Sequence, residues 1–550
     1  MNATDAAKKS SHHHPHPHPN QHDLEGMDQA ARDAQDLAAL GHSETLTRKF
    51  DKWSMLALAF CVLGTWTTSA QSLATGIING GPVTVVWGLC LVTLCNLCVA
   101  LSLGELCSAM PTALGQAYWV IRTWESPSGR FASYMCAWIN TFGWWTLTAS
   151  QNAFMTDFFL GMKLMYDPDW EGASKGWVQF LVYVGVTVAF TAFNHVACRN
   201  DRVLPAFNNF VAVGFVALFI ALGMGLPIAV GTRSDEHFQS AKFVFGEWIN
   251  RSGWNGFVTF FLGLAQSAYS LTAFDSVIHM VEEIPAPRKN GPLTMYLAII
   301  CGWASGWVFM VICLFCIQDV DRVLDSDLPF IDLVEECVGR TGAAVFIGLF
   351  IFNGLGQGIS ILTSASRLTW SFARDGGMPF FGYFAQVDPY WKAPVRSLWL
   401  QAVIIIIVGV LYLFANTVLS AIFSVSTIAL TISYAIPISI VLIKGRKVLP
   451  PGGEFSLGKW GPFVNWVSMA YCVTTTIFFF FPPEPNPAPS DMNYAIAVFG
   501  VMIVVSLAFW FVKGKKSFMQ TSEMADVLYA NESDSPRPGD SSTHLGHKDI

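Results

Sequence analysis

Charge is what this sequence has least of. Of its 550 residues only 13% are Asp, Glu, Lys or Arg, about half the share in soluble globular domains, while 53% are hydrophobic and the mean hydropathy is +0.43. That excludes a string of soluble domains and points to lipid as the solvent. A basic excess is missing too: the net charge is −7 and no stripe of Lys and Arg interleaves with aromatics, which excludes nucleic acid as a partner. The 12 cysteines show neither a disulfide framework nor zinc spacing; Cys90, Cys95, Cys98, Cys136, Cys313 and Cys316 sit inside apolar runs, where a thiol acts as a small hydrophobe. No Ser/His/Asp, Cys/His or metal-ligand set stands at membrane depth, so an enzyme is not expected, nor a cofactor or metal. Behind Met1 there is no apolar core, so residues 1–50 are expected to be a disordered cytosolic tail rather than a signal peptide. Its His-rich tract, Ser11–His22, is assigned no function.

What the sequence does have is long uncharged windows such as Pro82–Leu103 and Leu293–Ile317. A bilayer core takes about 20 apolar residues per helix, and on that length candidates fall near 55–78, 82–103, 131–156, 177–197, 203–230, 255–281, 293–317, 343–366, 397–415, 417–443, 463–482 and 493–512. The expectation is an all-α polytopic membrane protein of twelve transmembrane helices, with a permease domain over 51–516 and a disordered cytosolic tail over 517–550. Lys and Arg sort with this topology. Arg48, Lys49, Arg130, Arg202, Arg288, Arg367, Arg374, Lys444 and Lys513 fall on the inner side, leaving few basic residues outside, which places both termini in the cytosol. The outer connectors are acidic instead (Asp319, Asp321, Asp325, Asp327, Asp332, Glu335, Glu336), either a cation-enriching mouth or an ordinary solvated loop.

Many transporters hold their solute at the bilayer midplane, where broken helices leave backbone groups free. Two spans carry polar interruptions of that kind. The first contains Gly64, Thr65, Trp66, Thr67, Thr68, Ser69, Ala70, Gln71 and Ser72; the sixth runs through Gln266, Ser267, Tyr269, Ser270, Thr272, Phe274 and Asp275 to His279, Glu282 and Glu283. They correspond if helices 1–5 and 6–10 form two inverted repeats. The competing reading is that Ser and Thr bond back to their own helix. Asp275 is the most informative ionisable group, because a carboxylate at the membrane centre costs about 3 kcal/mol on insertion scales and needs a cavity or a partner. It is either a counter-charge for a cationic solute or a proton, or half of an intrahelical pair with His279 one turn on. Trp66, Trp144, Trp145, Tyr269 and Phe274 lie in the same layer. An ammonium without N–H donors is held by charge and ring faces, although any one of these rings also serves as ordinary packing.

Three stretches resemble the fungal amino acid/choline permeases of the amino acid–polyamine–organocation superfamily. They are Gly104-Glu105-Leu106 through Pro111, Gly115 and Tyr118 after span two; Asp275, His279, Glu282, Glu283, Pro285 and Pro292 at the end of span six; and Ser366-Arg367 through Arg374-Asp375-Gly376-Gly377-Met378-Pro379 at the end of span eight. The resemblance covers roughly Phe50 to Lys516. It implies a LeuT-like five-plus-five inverted repeat with two added helices, and transport of choline, amino acids, γ-aminobutyrate or related amines by alternating access. Many such relatives carry Gly-x-Gly in the unwound first helix, where this chain has Thr67-Thr68-Ser69-Ala70. Some bacterial relatives place a Lys proton site in span five, and Asp201–Val230 contains no Lys.

The expected function is therefore a plasma-membrane transporter for a small amine, choline-like before γ-aminobutyrate or another amino acid, with H+ as a possible coupling ion. A non-transporting nutrient sensor is the alternative of a different class. Trp66, Thr67, Thr68, Ser69, Ala70, Trp144, Trp145, Tyr269, Ser270, Thr272, Phe274 and Asp275 are the expected substrate contacts. Glu282 and Glu283 with Arg367 and Arg374 are the expected inner gate, and Asn250, in Asn250-Arg251-Ser252, is an outward glycosylation acceptor.

Overall fold

In lipid a backbone must satisfy its own polar groups, which a helix does within one segment. The computed structural model describes residues 21–233, 237–326, 328–413, 418–488 and 492–520, and it is accordingly helical; among the described residues the only extended pairings are two isolated bridges, Asn79 with Asn250 and Asp388 with Ala393. The principal elements are α1 (Gln21–Ala39), α2 (Lys52–Leu63), α3 (Thr65–Gln71), α4 (Leu89–Ala109), α5 (Gln116–Thr123), α6 (Pro127–Tyr166), α7 (Gly176–Ala197) and α8 (Val203–Thr232). There follow α9 (Gly256–Ser270), α10 (Ser276–His279), α11 (Pro287–Cys316), α12 (Pro329–Arg374), α13 (Val395–Gly409), α14 (Val418–Lys444), α15 (Gly461–Phe478) and α16 (Ala495–Phe509).

Among the described residues nine stretches are long and apolar enough to cross a membrane: Lys52–Gln71, Gly81–Ala109, Gly176–Ala197, Val203–Thr232, Pro287–Cys316, Pro329–Arg374, Val395–Leu413, Ile422–Lys444 and Ala495–Ser517. Three expected spans fall outside that set. The 40-residue α6 buries Thr141, Thr148, Ser150, Gln151 and Asn152, the α9–α10 pair is interrupted, and α15 is 18 residues long with Asn465 and Ser468 inward. The short connector Ala415–Thr417 lies outside the described residues, as do the His-rich tract before residue 21, Asp327 and the Ser-rich end.

Burial divides the helices. Every residue of α3 is buried, packed against α9 and α11, whereas α16 buries only Ala495, Met502 and Ser506 and turns Ile496, Val501 and Val504 outward. Such an apolar exterior suits acyl chains, so the broken helices occupy the protein interior and α16 its rim.

Both described ends reach one face, the N-terminal face, where Phe50 N–H donates to Glu283 O and Met519 N–H to Asp375 O. The stretch expected as a disordered tail is here partly ordered: α1 forms, and the segment after it packs on this face. Asp33 accepts from Arg48 (2.9 Å) and from Ala286 N–H (3.0 Å), Asp36 pairs with Arg288 (2.7 Å), and Tyr118 O–H donates to Leu40 O (2.9 Å). Leu37, Leu40, Leu46 and Phe50 are buried there, apolar anchors that overall polarity conceals. His42 is buried against Asp375. Burial, with Arg374 close by, holds the imidazole well below its ordinary value, and burial pushes the Asp375 carboxyl up to about 7.

Candidate functional site

The first break is made by one glycine. Gly64 closes α2 and opens α3 at φ +50°, a conformation side chains resist, and an added Cβ would stand 2.4 Å from Gln357 Nε2. The orphaned helix-end carbonyls are met by side chains. Gln357 Nε2, from α12, donates to Val62 O (3.3 Å) and Leu63 O (3.4 Å), Thr68 O–H to Leu63 O (3.1 Å), and Thr67 O–H to Gly64 O (2.8 Å). On the far side Gln266 donates to Ser69 O at 2.7 Å, tying the first break to α9. Gln357 was not among the expected residues; its signal was a lone amide within Gly354-Leu355-Gly356-Gln357-Gly358.

The second break lies between α9 and α10, with Ala273 at φ +73° and Asp275 at the start of α10. Asp275 is fully buried and surrounded by donors. Its Oδ2 accepts from Gln116 Nε2 (2.8 Å) and Trp144 Nε1 (3.4 Å) and lies 3.1 Å from His279 Nε2, while Oδ1 accepts from Tyr434 O–H (2.7 Å). Behind Gln116, Asn140 donates to Gln116 Oε1 (3.1 Å) and so fixes the amide that faces the carboxylate. Gln116, Asn140 and Tyr434 are neutral residues of other helices, and no spacing within span six pointed to them.

The expected aromatics separate into different neighbourhoods. Trp144 and Phe274 gather at Asp275, Phe274 through Tyr434 at 5.2 Å. Trp66 instead points into an apolar cluster with Phe309 (4.8 Å) and Phe215 (5.2 Å), and Trp145 turns to Thr369 (3.0 Å). Tyr269 shares a hydrogen bond with Ser150 at 2.6 Å, and its ring lies tilted against Phe423 at 4.2 Å. Ser270 and Thr272 hydroxyls return to the carbonyls of Ser267 and Ala268, and Ala70 packs in the same apolar cluster as Trp66.

A cavity of about 600 Å³ opens on the face opposite the termini and runs in to Gln71, Ser72, Phe154, Ala265 and Phe423, beside the Tyr269 ring. Gln71 is buried on its wall, and neither amide atom has a partner among the described residues. Around the mouth the acidic connector is largely internally paired: Arg251 with Asp321 and Asp325, Arg322 with Asp332 and Glu336, Arg340 with Glu335. Asn250 is exposed on this face, its Nδ2 donating to Trp254 O at 2.7 Å.

On the N-terminal face two ion pairs join the segment after α10 to α12. Glu283 and Arg367 meet at 2.8 Å, both almost wholly buried, and Arg374 grips Glu282 with two nitrogens at 2.9 and 3.0 Å. A bidentate guanidinium–carboxylate pair is among the stronger polar contacts. Glu282 also accepts from Ala113 N–H at 2.9 Å, which holds the loop between α4 and α5.

A cavity thus runs in from one face to the end of the first broken helix, and the opposite face carries the two ion pairs. A sequence model of the amino acid permease family matches residues 50–504. The chain is 31% identical to a choline transporter of Saccharomyces cerevisiae over 89% of its own length and 86% of the relative's. It is 29% identical to a GABA-specific permease of the same yeast (91% and 88%) and 27% identical to the amino-acid permease BAT1 of Arabidopsis thaliana (90% and 96%). Matched over most of its length, the chain belongs to the amino acid permease family of the amino acid–polyamine–organocation superfamily.

Proposed function

We propose that the protein is a secondary transporter of the plasma membrane that moves a choline-like organic cation by alternating access. The observation that carries this reading is Asp275: a carboxylate fully buried at the second of two helix breaks, in a protein whose cavity runs in to the end of the first broken helix. In this reading the nine apolar stretches, α6, α9–α10 and α15 make twelve spans in a five-plus-five inverted repeat plus two helices, and the N-terminal face is cytosolic. The conformation is then outward-open, with Tyr269, Phe154 and Phe423 between cavity and site. Solute meets the backbone of Thr67–Ala70, the rings of Trp144 and Phe274 and the charge of Asp275; the pairs Glu282–Arg374 and Glu283–Arg367 are the inner gate. Asn250 is an outward glycosylation acceptor. Relatives named a choline transporter and a GABA-specific permease support the solute class.

A second reading has one observation in its favour. Asp275 already accepts from Gln116, Trp144 and Tyr434 and lies against His279, so its oxygens have partners in this state, which suits a zwitterion such as γ-aminobutyrate. Uptake of labelled choline by cells expressing the protein, competed with γ-aminobutyrate, ethanolamine, lysine, proline and polyamines, separates the two. Saturable choline uptake blocked by ethanolamine supports the first. Absence of any uptake, with the protein at the surface, favours a sensor.

A further inference from the structure

We propose that the inner end of the cavity is a second solute site, in which the Gln71 amide reads the hydroxyl group of a small hydroxylated ammonium. This deepens the transport reading and rests on it for the solute class. The observation behind it is an amide with nothing to bond. Gln71 is the last residue of α3 and only 7% exposed, yet neither Nε2 nor Oε1 has a partner among the described residues. Buried polar atoms of a folded protein are nearly always paired, so an orphaned amide on a cavity wall points to a group that arrives from outside. Its neighbours are spent. Ser72 O–H donates to Thr68 O (2.7 Å) and Asn79 Nδ2 to Thr75 O (2.8 Å). The two other glutamines at the first break give their nitrogens to backbone carbonyls, Gln266 to Ser69 O (2.7 Å) and Gln357 to Val62 O (3.3 Å).

The surroundings narrow what that group can be. Around Gln71 the cavity ends at Ser72, Ala265 and the rings of Phe154 and Phe423, with no charged side chain among them. The charged residues that line the cavity, Arg251 and Glu484, are exposed. Arg251 is already held by Asp321 (2.7 Å) and Asp325 (2.6 Å), and Glu484 has no ion pair among the described residues, so the entrance favours a cation. A primary amide offers both donors and an acceptor. A hydroxyl answers both sides, donating to Oε1 and accepting from Nε2. A carboxylate only accepts, which leaves Oε1 unmet and brings an anion to an end of the cavity without a cation. A quaternary ammonium has no N–H to give and rests on ring faces. Amide and rings together therefore suit a hydroxylated quaternary ammonium over an amino acid. None of Asp275, Trp144 and Phe274 lines the cavity, so the site is separate from the second break.

The test is displacement of labelled choline from purified full-length protein by unlabelled choline and by ethyltrimethylammonium, which lacks only the hydroxyl. Wild type is expected to bind choline tighter by roughly tenfold or more, the scale of one polar group left unpaired. Gln71→Leu is expected to bring the two within about twofold, through loss of choline affinity alone. Its thermal midpoint without solute should equal or exceed that of wild type, because an unpaired amide contributes nothing to the fold that leucine removes. Choline bound no tighter than ethyltrimethylammonium, or a preference that Gln71→Leu retains, overturns the hydroxyl site and leaves the solute class standing. A lowered midpoint in Gln71→Leu assigns the amide to the fold and overturns the site as well. Binding of neither cation by wild type overturns the solute class, and the hydroxyl site falls with it.

Discussion

The two broken helices look alike in sequence and are built from different chemistry. At Gly64 the freed carbonyls are met by Gln357, Thr67 and Thr68, all neutral, so the break is a fixed hydrogen-bonded joint. At Asp275 the break carries a carboxylate and an imidazole, and the imidazole reaches on to Ala113, whose N–H donates to Glu282. One break therefore supplies shape and the other supplies ionisable groups, and the second is joined by hydrogen bonds to the N-terminal face.

Replacing the charge is the strongest way to break that contrast. Asp275→Asn is expected to lower uptake of a choline-like cation by about two orders of magnitude, the scale of truncating one partner of a buried charge pair, with surface level nearly intact. Retained uptake with an unchanged half-saturation concentration would move the site to Thr67–Ala70. The next largest effect is on the closed face: Glu283→Gln leaves Arg367 buried and unpaired and should cost about 3–5 kcal/mol of stability, read as the thermal midpoint in detergent. Glu282→Gln, whose partner Arg374 reaches solvent, should cost less. At the neutral break, Gln357→Leu strands the carbonyl of Val62, leaves that of Leu63 to Thr68 alone, and is expected to cost about 1–3 kcal/mol. The rings sharpen the comparison further. Phe274→Leu should weaken a quaternary amine by about 0.5–2 kcal/mol, whereas Trp66→Leu should lower stability and leave affinity alone, because Trp66 faces Phe309 and Phe215.

The smallest expected effect concerns the strap at residues 33–50. Asp375, raised from 3.8 to about 7, favours docking at low pH and loses that contribution as pH rises to 7; His42, lowered below 6.5, favours docking above 6.5 and loses it as pH falls. The slopes oppose, so docking in wild type should vary little below 6.5. In His42→Asn, protection of residues 40–50 from exchange should fall steadily from pH 5 to 7, and in Asp375→Asn it should rise. The same profile in all three proteins would separate docking from both groups.

Much of this was legible in the chain because membrane helices announce themselves by length and apolarity, and because polar residues inside them need a reason. The interruptions at Gly64–Ser72 and Ser270–Asp275, the pairing of Asp275 with His279 one turn on, and the meeting of Glu282 and Glu283 with Arg374 and Arg367 follow from local periodicity and charge. What was not legible comes from distance. Gln116, Tyr434 and Gln357 approach from helices far away in sequence, and a neutral side chain gives no sign of which carbonyl or carboxylate it serves. Trp66 and Trp144 read alike until the helix faces are known. Residues 33–50 are polar on average, and only their few apolar anchors seat them on the protein.

Gly64 and Gln357 carry a consequence for descent. Any larger residue at 64 meets the amide at 357 and a backbone conformation that side chains resist, and any residue at 357 without that amide abandons the carbonyl of Val62 and leaves that of Leu63 to Thr68 alone. Neither position can change alone without passing through a poorer protein, so the two should be inherited as one character, and lineages that differ at one should differ at both.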